Sequence, residues 1–416
     1  MAGKSIMYWA ALALAGVCIL PALAQSPDGY WPAWVTKTTT DSATINWRVD
    51  NSGTGSTGLI DYAITGYFDD HHAFEKTVAS ASDAIYQHVQ LTGLQPNTSY
   101  TYRVRPSGSE YSFGNRSFKT MPASGPFTFI VISDPQKGQY YDERQRFKYV
   151  ADAVEKEQDI SFILIGGDYN GHDSDSLWHQ FFDVAGGMLS QSAVFPVIGN
   201  HEYHNSSGGG NPPTSAVHFH QSFAMPLNYS FDCSGVRFVV LNTPDPNNAN
   251  GDDPHTSIAL AKSQESWLKQ QLDDDSLLGA FTIHHHPIWD YYNESSNPDL
   301  APWEALYHTY NISATFAGHT HNYQRYSIND TPYFIVGNAG GRCADLTGNS
   351  TPRGYIFGVT RTLGYLKVAV DPANNTATAQ EWIVATVKED DSRDKPDVFK
   401  APQLIDSITF PLSRPS

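Results

Sequence analysis

Five apolar runs in one stretch of the chain each break off at a residue able to bind a metal ion. Phe127 to Ser133 runs into Asp134, Ile160 to Gly167 into Asp168, and Val194 to Gly199 into Asn200. Leu278 to His284 runs into His285, and Ile312 to Gly318 into His319. Taken singly these endings are bland: Asp before Pro is a common turn, and a lone His is usually a core or surface residue. Together they suggest one shared rim, because layered α/β proteins bind ligands in the crevice at the carboxyl ends of their strands. Carboxylate, amide and imidazole side chains in one place suit Zn, Fe or Mn.

Elements of the right kind surround these runs. From about residue 126 to 412 apolar strands alternate with amphipathic stretches, the texture of an α/β layered domain. Helical spacing relates Phe147, Val150 and Val154, then Leu177, Phe181, Val184 and Met188, then Trp303, Leu306, Tyr307 and Tyr310. These stripes are expected to be core. Alternation in Tyr365 to Val370 predicts closing strands. Residues 28–121 read as all-β, with short runs of Thr, Val, Ile and Tyr between Gly, Asn, Asp and Ser clusters. Trp47 in an early strand and the alternating Tyr100-Thr101-Tyr102 resemble the core of a fibronectin type III-like sandwich. A G-x-G-x-x-G match from Gly53 to Gly58 leads into a strand pattern, so it is a turn and no dinucleotide site. Gly208 to Pro213 reads as a loop, and His71 and His72 as surface residues.

The ordered motifs carry a resemblance. Asp134-Pro135-Gln136, Gly167-Asp168, Gly199-Asn200-His201-Glu202, His285-His286-Pro287 and Gly318-His319-Thr320-His321 resemble the calcineurin-like metallophosphoesterases. With the sandwich in front, the whole is similar to purple acid phosphatases. The resemblance implies two metal ions bridged by Asp168, with Asp134 and His321 on the first and Asn200, His285 and His319 on the second. It implies His201 over a substrate phosphate. Two such ions clamp phosphoryl oxygens and activate a water for attack on phosphorus. The implied activity is hydrolysis of small phosphomonoesters, with a diesterase or a non-catalytic binding protein as alternatives. His284 and His286 flank His285, and alternation points strand neighbours to opposite faces, so at most one of the three should bind a given ion.

Two positions depart from the family pattern. The coloured relatives carry Tyr three residues after the bridging Asp, where this chain has Gly171, with Tyr169 one residue after Asp168. Many relatives carry His two residues after the first Asp; here that residue is Gln136.

Composition narrows the setting. A formal net charge of −17 offers no broad attraction to a nucleic-acid backbone. Lys4, an apolar run from Ile6 to Pro21 and Ala22-Leu23-Ala24 read as a secretory signal cleaved after Ala24, too short to span a bilayer. Nine N-x-[ST] sites, at Asn97, Asn115, Asn205, Asn228, Asn293, Asn311, Asn329, Asn349 and Asn374, accord with export. Beyond the signal, Cys233 and Cys343 either pair or are buried thiols. No G-x-S-x-G elbow or P-loop lysine motif is present.

Overall fold

The computed structural model describes residues 31–413 apart from 50–54, 82, 108–111, 137–141, 205–214, 252, 292–295, 349 and 389–395. The signal segment, the start of the Gly53 turn, the Gly208 to Pro213 loop and the sites at Asn205, Asn293 and Asn349 lie outside the described residues.

Seven strands form the amino-terminal part: β1 (Trp31–Thr36), β2 (Ser42–Arg48), β3 (Gly58–Ile64), β4 (Lys76–Ala79), β5 (Tyr86–Thr92), β6 (Ser99–Pro106) and β7 (Phe113–Lys119). A short helix, α1 (Thr65–His71), follows β3 and leaves His71 and His72 exposed. One sheet runs β4-β3-β6-β7; β1, β2 and β5 face it across Trp47, Tyr100, Tyr102 and Phe118. Both aromatics singled out in the sequence are therefore core. Tyr102 does more than pack, since its hydroxyl donates to the Ser190 carbonyl in the following domain, 2.9 Å away.

The second domain opens with three parallel neighbours, β8 (Phe127–Ile132), β9 (Ile160–Ile165) and β10 (Ala193–Pro196). Between them run α2 (Asp142–Val154) and α3 (Asp175–Gln191), followed by α4 (Val217–Phe223). A second set comprises β11 (Tyr229–Cys233), β12 (Val236–Val240), the small hairpin β13 (Ala249–Asn250) and β14 (Asp253–Pro254), and α5 (Ile258–Leu272). Next come β15 (Gly279–Ile283), α6 (Ala301–Thr309), β16 (Ala314–Ala317), β17 (Tyr323–Ile328), β18 (Thr331–Val336) and β19 (Tyr355–Val359). Three long antiparallel strands end the chain: β20 (Thr362–Asp371), β21 (Thr376–Thr386) and β22 (Asp397–Pro411).

Two sheets result, a nine-stranded one ordered β22-β21-β20-β8-β9-β10-β1-β2-β5 and a seven-stranded one ordered β11-β12-β15-β16-β18-β17-β19. The period-2 alternation of strands builds the layers. Phe127, Phe129 and Val131 of β8 point inward to Phe238, Phe281 and Phe316 of the other sheet, while Ile130 and Ile132 point outward under α2 and α3. On the far side Val239, Ala280, Leu268 and Trp303 pack α5 and α6 onto the seven-stranded sheet. The architecture is helix, sheet, sheet, helix.

Boundaries between the two parts are blurred by β1. It pairs in parallel with β10 at Thr36 and Val194, so half of the sandwich continues the nine-stranded sheet of the second domain. Trp34 also donates to the Ser222 carbonyl, and Arg48 pairs with Asp175 at 2.8 Å. Cys233 lies in the core between the sheets and Cys343 under the helices, both buried and not joined to each other by a disulfide. No helix among the described residues is long and apolar enough to cross a membrane.

Candidate metal centre

Each of the five apolar runs is a strand, β8, β9, β10, β15 and β16, and each polar residue follows two to four residues beyond its end. Because β8, β9 and β10 are parallel neighbours, as are β15 and β16, their carboxyl ends share an edge. The turns that follow are unusual. Asp134, Asp168 and His319 have φ of 59°, 56° and 67°, the left-handed region that side chains with a Cβ seldom occupy. Such strain costs ~1–3 kcal/mol per residue and persists where the surroundings over-determine it. Hydrogen bonds do that here: Asp134 N–H donates to the Gly167 carbonyl at 3.1 Å, and Gly341 N–H to the Asp134 carbonyl at 2.8 Å.

Two trios of side chains converge, Asp168 with His285 and His319, and Asp134 with Asp168 and His321. Within each, the potential ligand atoms lie within 4.8 Å of one another, and Asp168 belongs to both. Asn200 joins the first trio, its Oδ1 2.9 Å from His285 Nε2 and 3.2 Å from His319 Nδ1. All six sequence-predicted ligands are thus brought to one place. Asp134, Asp168, Asn200 and His285 are buried, while His319 is exposed and His321 partly so, which puts the opening on the histidine side. His201 stands there too, with Nε2 3.9 Å from Asp168 Oδ2 and its Nδ1–H donating to the Gly171 carbonyl at 2.9 Å.

The donor set calls for a cation. His285 Nδ1–H donates to the Gly166 carbonyl at 2.8 Å, so Nε2 faces oxygen lone pairs of Asp168 at 3.3 Å and of Asn200 at 2.9 Å. A neutral ring would set lone pair against lone pair; only a proton or a metal ion between them relieves it. Burial alone would push His285 down, but the Asp168 charge reverses this and lifts it to about 9. His321 repeats the pattern, its Nδ1–H on the Arg342 carbonyl at 2.6 Å and its Nε2 3.4 Å from Asp134 Oδ1. Burial opposes its charge as well, and Asp134 again raises it. Conversely, burial disfavours ionised Asp168, yet His285 and His201 hold it well below the usual carboxylate range. The residues fit a pair of cations with an oxygen bridge at Asp168.

A supporting layer surrounds the ligands. Glu202 is buried and accepts from the N–H groups of Asp168, Tyr169 and Gly199 at 2.8–2.9 Å, tying the loops after β9 and β10 together. Its burial and the nearby Asp168 charge raise it to about 8. Arg144 of α2 does the same for the loops after β8 and β9, reaching Asn170 Oδ1 at 2.5 Å and the Pro135 carbonyl at 3.4 Å. Gly199 is required by crowding, for a Cβ there would sit 2.2 Å from Asp168 Oδ1. Glu202 was visible only as the last letter of its motif, and Arg144 had no motif at all.

With this geometry established, sequence and structure comparisons agree. Residues 127–323 match the calcineurin-like phosphoesterase family, and residues 31–120 match the purple acid phosphatase N-terminal domain. The chain carries a calcineurin-like phosphoesterase domain. Among curated proteins it is 27% identical to purple acid phosphatase 21 of Arabidopsis thaliana, over 61% of this chain and 58% of that protein. An uncharacterized protein of Mycobacterium tuberculosis, Rv2577, is 25% identical over 59% of this chain and 51% of its own length. The chain therefore spans a little over half the length of the first curated relatives it matches, 53–58%. The yellow lupin purple acid phosphatase PPD1 superposes with a TM-score of 0.69 at 15% identity, over 92% of this chain and 74% of that one. PhoD superposes with the same TM-score and identity over 94% and 92%. At such identity these two structures speak for the fold alone.

Three residues around the centre were open in the sequence. Tyr169 turns away from the rim: its ring is fully buried, 5.3 Å from Trp178 and 5.1 Å from Phe181, and its hydroxyl reaches the Ile165 carbonyl at 3.3 Å. Gly171, at the position where coloured relatives carry tyrosine, offers only its carbonyl, to His201. Gln136 is buried, and among the described residues its Oε1 has no hydrogen-bond partner. Of the three consecutive histidines, only His285 enters a trio; His284 packs against Trp303 and Tyr307, and His286 bonds Thr243 and lies 4.3 Å from the His319 ring.

Proposed function

We propose that this chain is an exported dinuclear-metal phosphatase that hydrolyses small phosphomonoesters. The observation that carries the reading is the sharing of Asp168 by two ligand trios at one solvent-open rim. Asp134, Asp168 and His321 would hold one ion, and Asp168, Asn200, His285 and His319 the other, with Fe, Zn or Mn suited to the donors. When bound, such a pair supplies charge neutralisation at the phosphoryl oxygens and a nucleophile at neutral pH.

The protein's own residues supply the rest. His201 has its Nδ1–H engaged by the Gly171 carbonyl, so Nε2 is the atom that faces a substrate and can carry a proton to the leaving oxygen. Burial pulls this imidazole toward its neutral form, with Asp168 opposing; an arriving phosphate dianion adds to the opposition. Glu202 holds the bridging carboxylate's backbone while charge shifts around it. Export is supported by the amino-terminal signal pattern and by the exposed asparagines of the sites at 97, 115, 311, 329 and 374. The net charge of −17 argues for a small ester over nucleic acid.

Metal analysis of the purified protein, alongside turnover of a monoester and a diester panel, tests the reading. We expect two ions per chain and faster monoester turnover. Preference for diesters would transfer the centre to the diesterase class, and two bound ions without turnover of either would make the protein a binding module.

A further inference from the structure

Asn200 poses a problem that the ligand set does not solve. An amide has two nearly isosteric ends, and only the oxygen can bind a metal ion. Flipped, the same side chain would thrust two N–H donors at the ions. Asn200 is 2% exposed, so water is not available to settle the choice. The neighbour on its nitrogen side is Asp253, whose Oδ1 accepts from Asn200 Nδ2 at 2.7 Å. A carboxylate is an acceptor only, so it fixes the amide with the oxygen toward His285 and His319.

Asp253 also holds a second residue at the rim. His204 Nε2 lies 3.1 Å from the same Oδ1, and the His204 ring sits 4.0 Å from the His201 ring, tilted by 45°. One carboxylate oxygen thus meets both the amide that faces the ions and the ring that backs His201. The two hydrogen bonds and His204 together hold Asp253 below its ordinary value, against the burial that would raise it.

The hairpin bearing Asp253 is built for this reach. It leaves the seven-stranded sheet after β12 and crosses to the loop after β10 of the other sheet. Asp245 anchors it, accepting from Asn247 N–H at 2.9 Å and from the Ser257 hydroxyl, while its own N–H donates to the His255 carbonyl at 2.9 Å. His255 N–H then closes the loop on the Asn248 carbonyl at 2.9 Å. The carboxylate is therefore delivered by a braced turn.

We infer that Asp253 is a positioning residue that fixes the Asn200 amide for the ion shared with His285 and His319 and seats His204 against His201. The inference rests on the dinuclear reading above, but it concerns ion affinity and not ester turnover. Hydrogen-bond partners of metal ligands typically contribute 10–100-fold in metal affinity.

Zinc titration of the metal-free full chain, followed calorimetrically, provides the test. In Asp253→Ala one of the two binding steps should weaken ~10–100-fold and the other remain, with the melting temperature of the metal-free protein unchanged. Asp253→Asn, which keeps an acceptor oxygen of the same shape, should recover part of the loss; it carries the test alone if the alanine variant fails to fold. Two wild-type steps in both variants would overturn the inference. So would equal weakening of both steps with a lower melting temperature, which marks a merely structural contact. A wild-type chain that binds a single ion would instead remove the dinuclear reading and this inference with it.

Discussion

The two sheets contribute different chemistry to the same rim. The nine-stranded sheet delivers Asp134, Asp168 and Asn200, all oxygen donors, from the ends of β8, β9 and β10. The seven-stranded sheet delivers His285, His319 and His321, all nitrogen donors, from β15 and β16. The oxygen half is held by left-handed backbone at two aspartates and by Glu202 beneath the loops of Asp168 and Asn200. In the nitrogen half His285 and His321 are aimed by ring N–H bonds to carbonyls, and for His285 that carbonyl is Gly166, on the opposite sheet, while His319 shares the left-handed backbone. Neither half forms a trio alone, since each trio takes members from both sheets. Metal ions in such a centre would therefore join the sheets as well as serve the chemistry.

The comparison breaks most visibly at Asp168, the one member of both trios. Asp168→Ala should lose both ions and reduce kcat/KM by ~10³-fold or more, because several kcal/mol of charge stabilisation depend on them. An alanine variant with full metal content and near-normal turnover would sink the shared-bridge arrangement. His201→Ala should keep both ions and lose ~10²–10⁴-fold on alkyl phosphates, less on nitrophenyl phosphate, whose leaving group needs no proton. Equal losses on the two substrates would assign His201 to charge stabilisation.

If ions join the sheets, chelation should lower the melting temperature of the wild type. At free metal ~1,000-fold above its Kd, each ion contributes about 4 kcal/mol. Calorimetry with and without chelator reads this directly, and the shift should vanish in Asp168→Ala; an unchanged melting temperature in the wild type would deny the cross-sheet role.

Glu381 sharpens the contrast from outside the rim. It lies fully buried on β21, bonded to Asn338 Nδ2 at 2.9 Å, with its other oxygen unpartnered among the described residues. Burial raises it to about 8, far above an unfolded glutamate. Between pH ~4.5 and 8 the folded state then holds a proton that the unfolded chain has lost, so stability falls as pH rises through that window. Glu381→Gln should remove the fall, matching wild type near pH 4 and exceeding it by pH 8, without changing metal content. Melting curves across pH check it; parallel profiles would mean that Glu381 is ionised in the fold.

The smallest effect belongs to Tyr169. Iron-loaded protein should lack an intense tyrosinate band in its visible spectrum, and Tyr169→Phe should leave that spectrum unchanged, because the phenol packs under α3 on the helix side of the sheet. A visible band abolished by this substitution would place a phenolate on the metal.

Much of the site could be read from local patterns. Apolar runs ending in ligand types identified the strands, since alternation and strand length are properties of a few consecutive residues. The helix stripes follow from the same local periodicity, whereas the choice of His285 among three histidines came from the family resemblance. Gln136, Tyr169 and the two cysteines could not be resolved that way, because the direction of a side chain beyond a strand end depends on what packs there.

By itself, then, the sequence determined the layered α/β class, the all-β start and the five polar residues at strand ends, all encoded within short windows. Tertiary structure alone decided that oxygen and nitrogen donors come from different sheets and that β1 crosses to extend the nine-stranded sheet. It also brought the Asp253 carboxylate, 53 residues from Asn200, to 2.7 Å from the nitrogen of that amide. Pairing order, left-handed turns and a carboxylate carried in on a braced hairpin are settled by contacts between segments far apart in the chain, and no local window contains both partners.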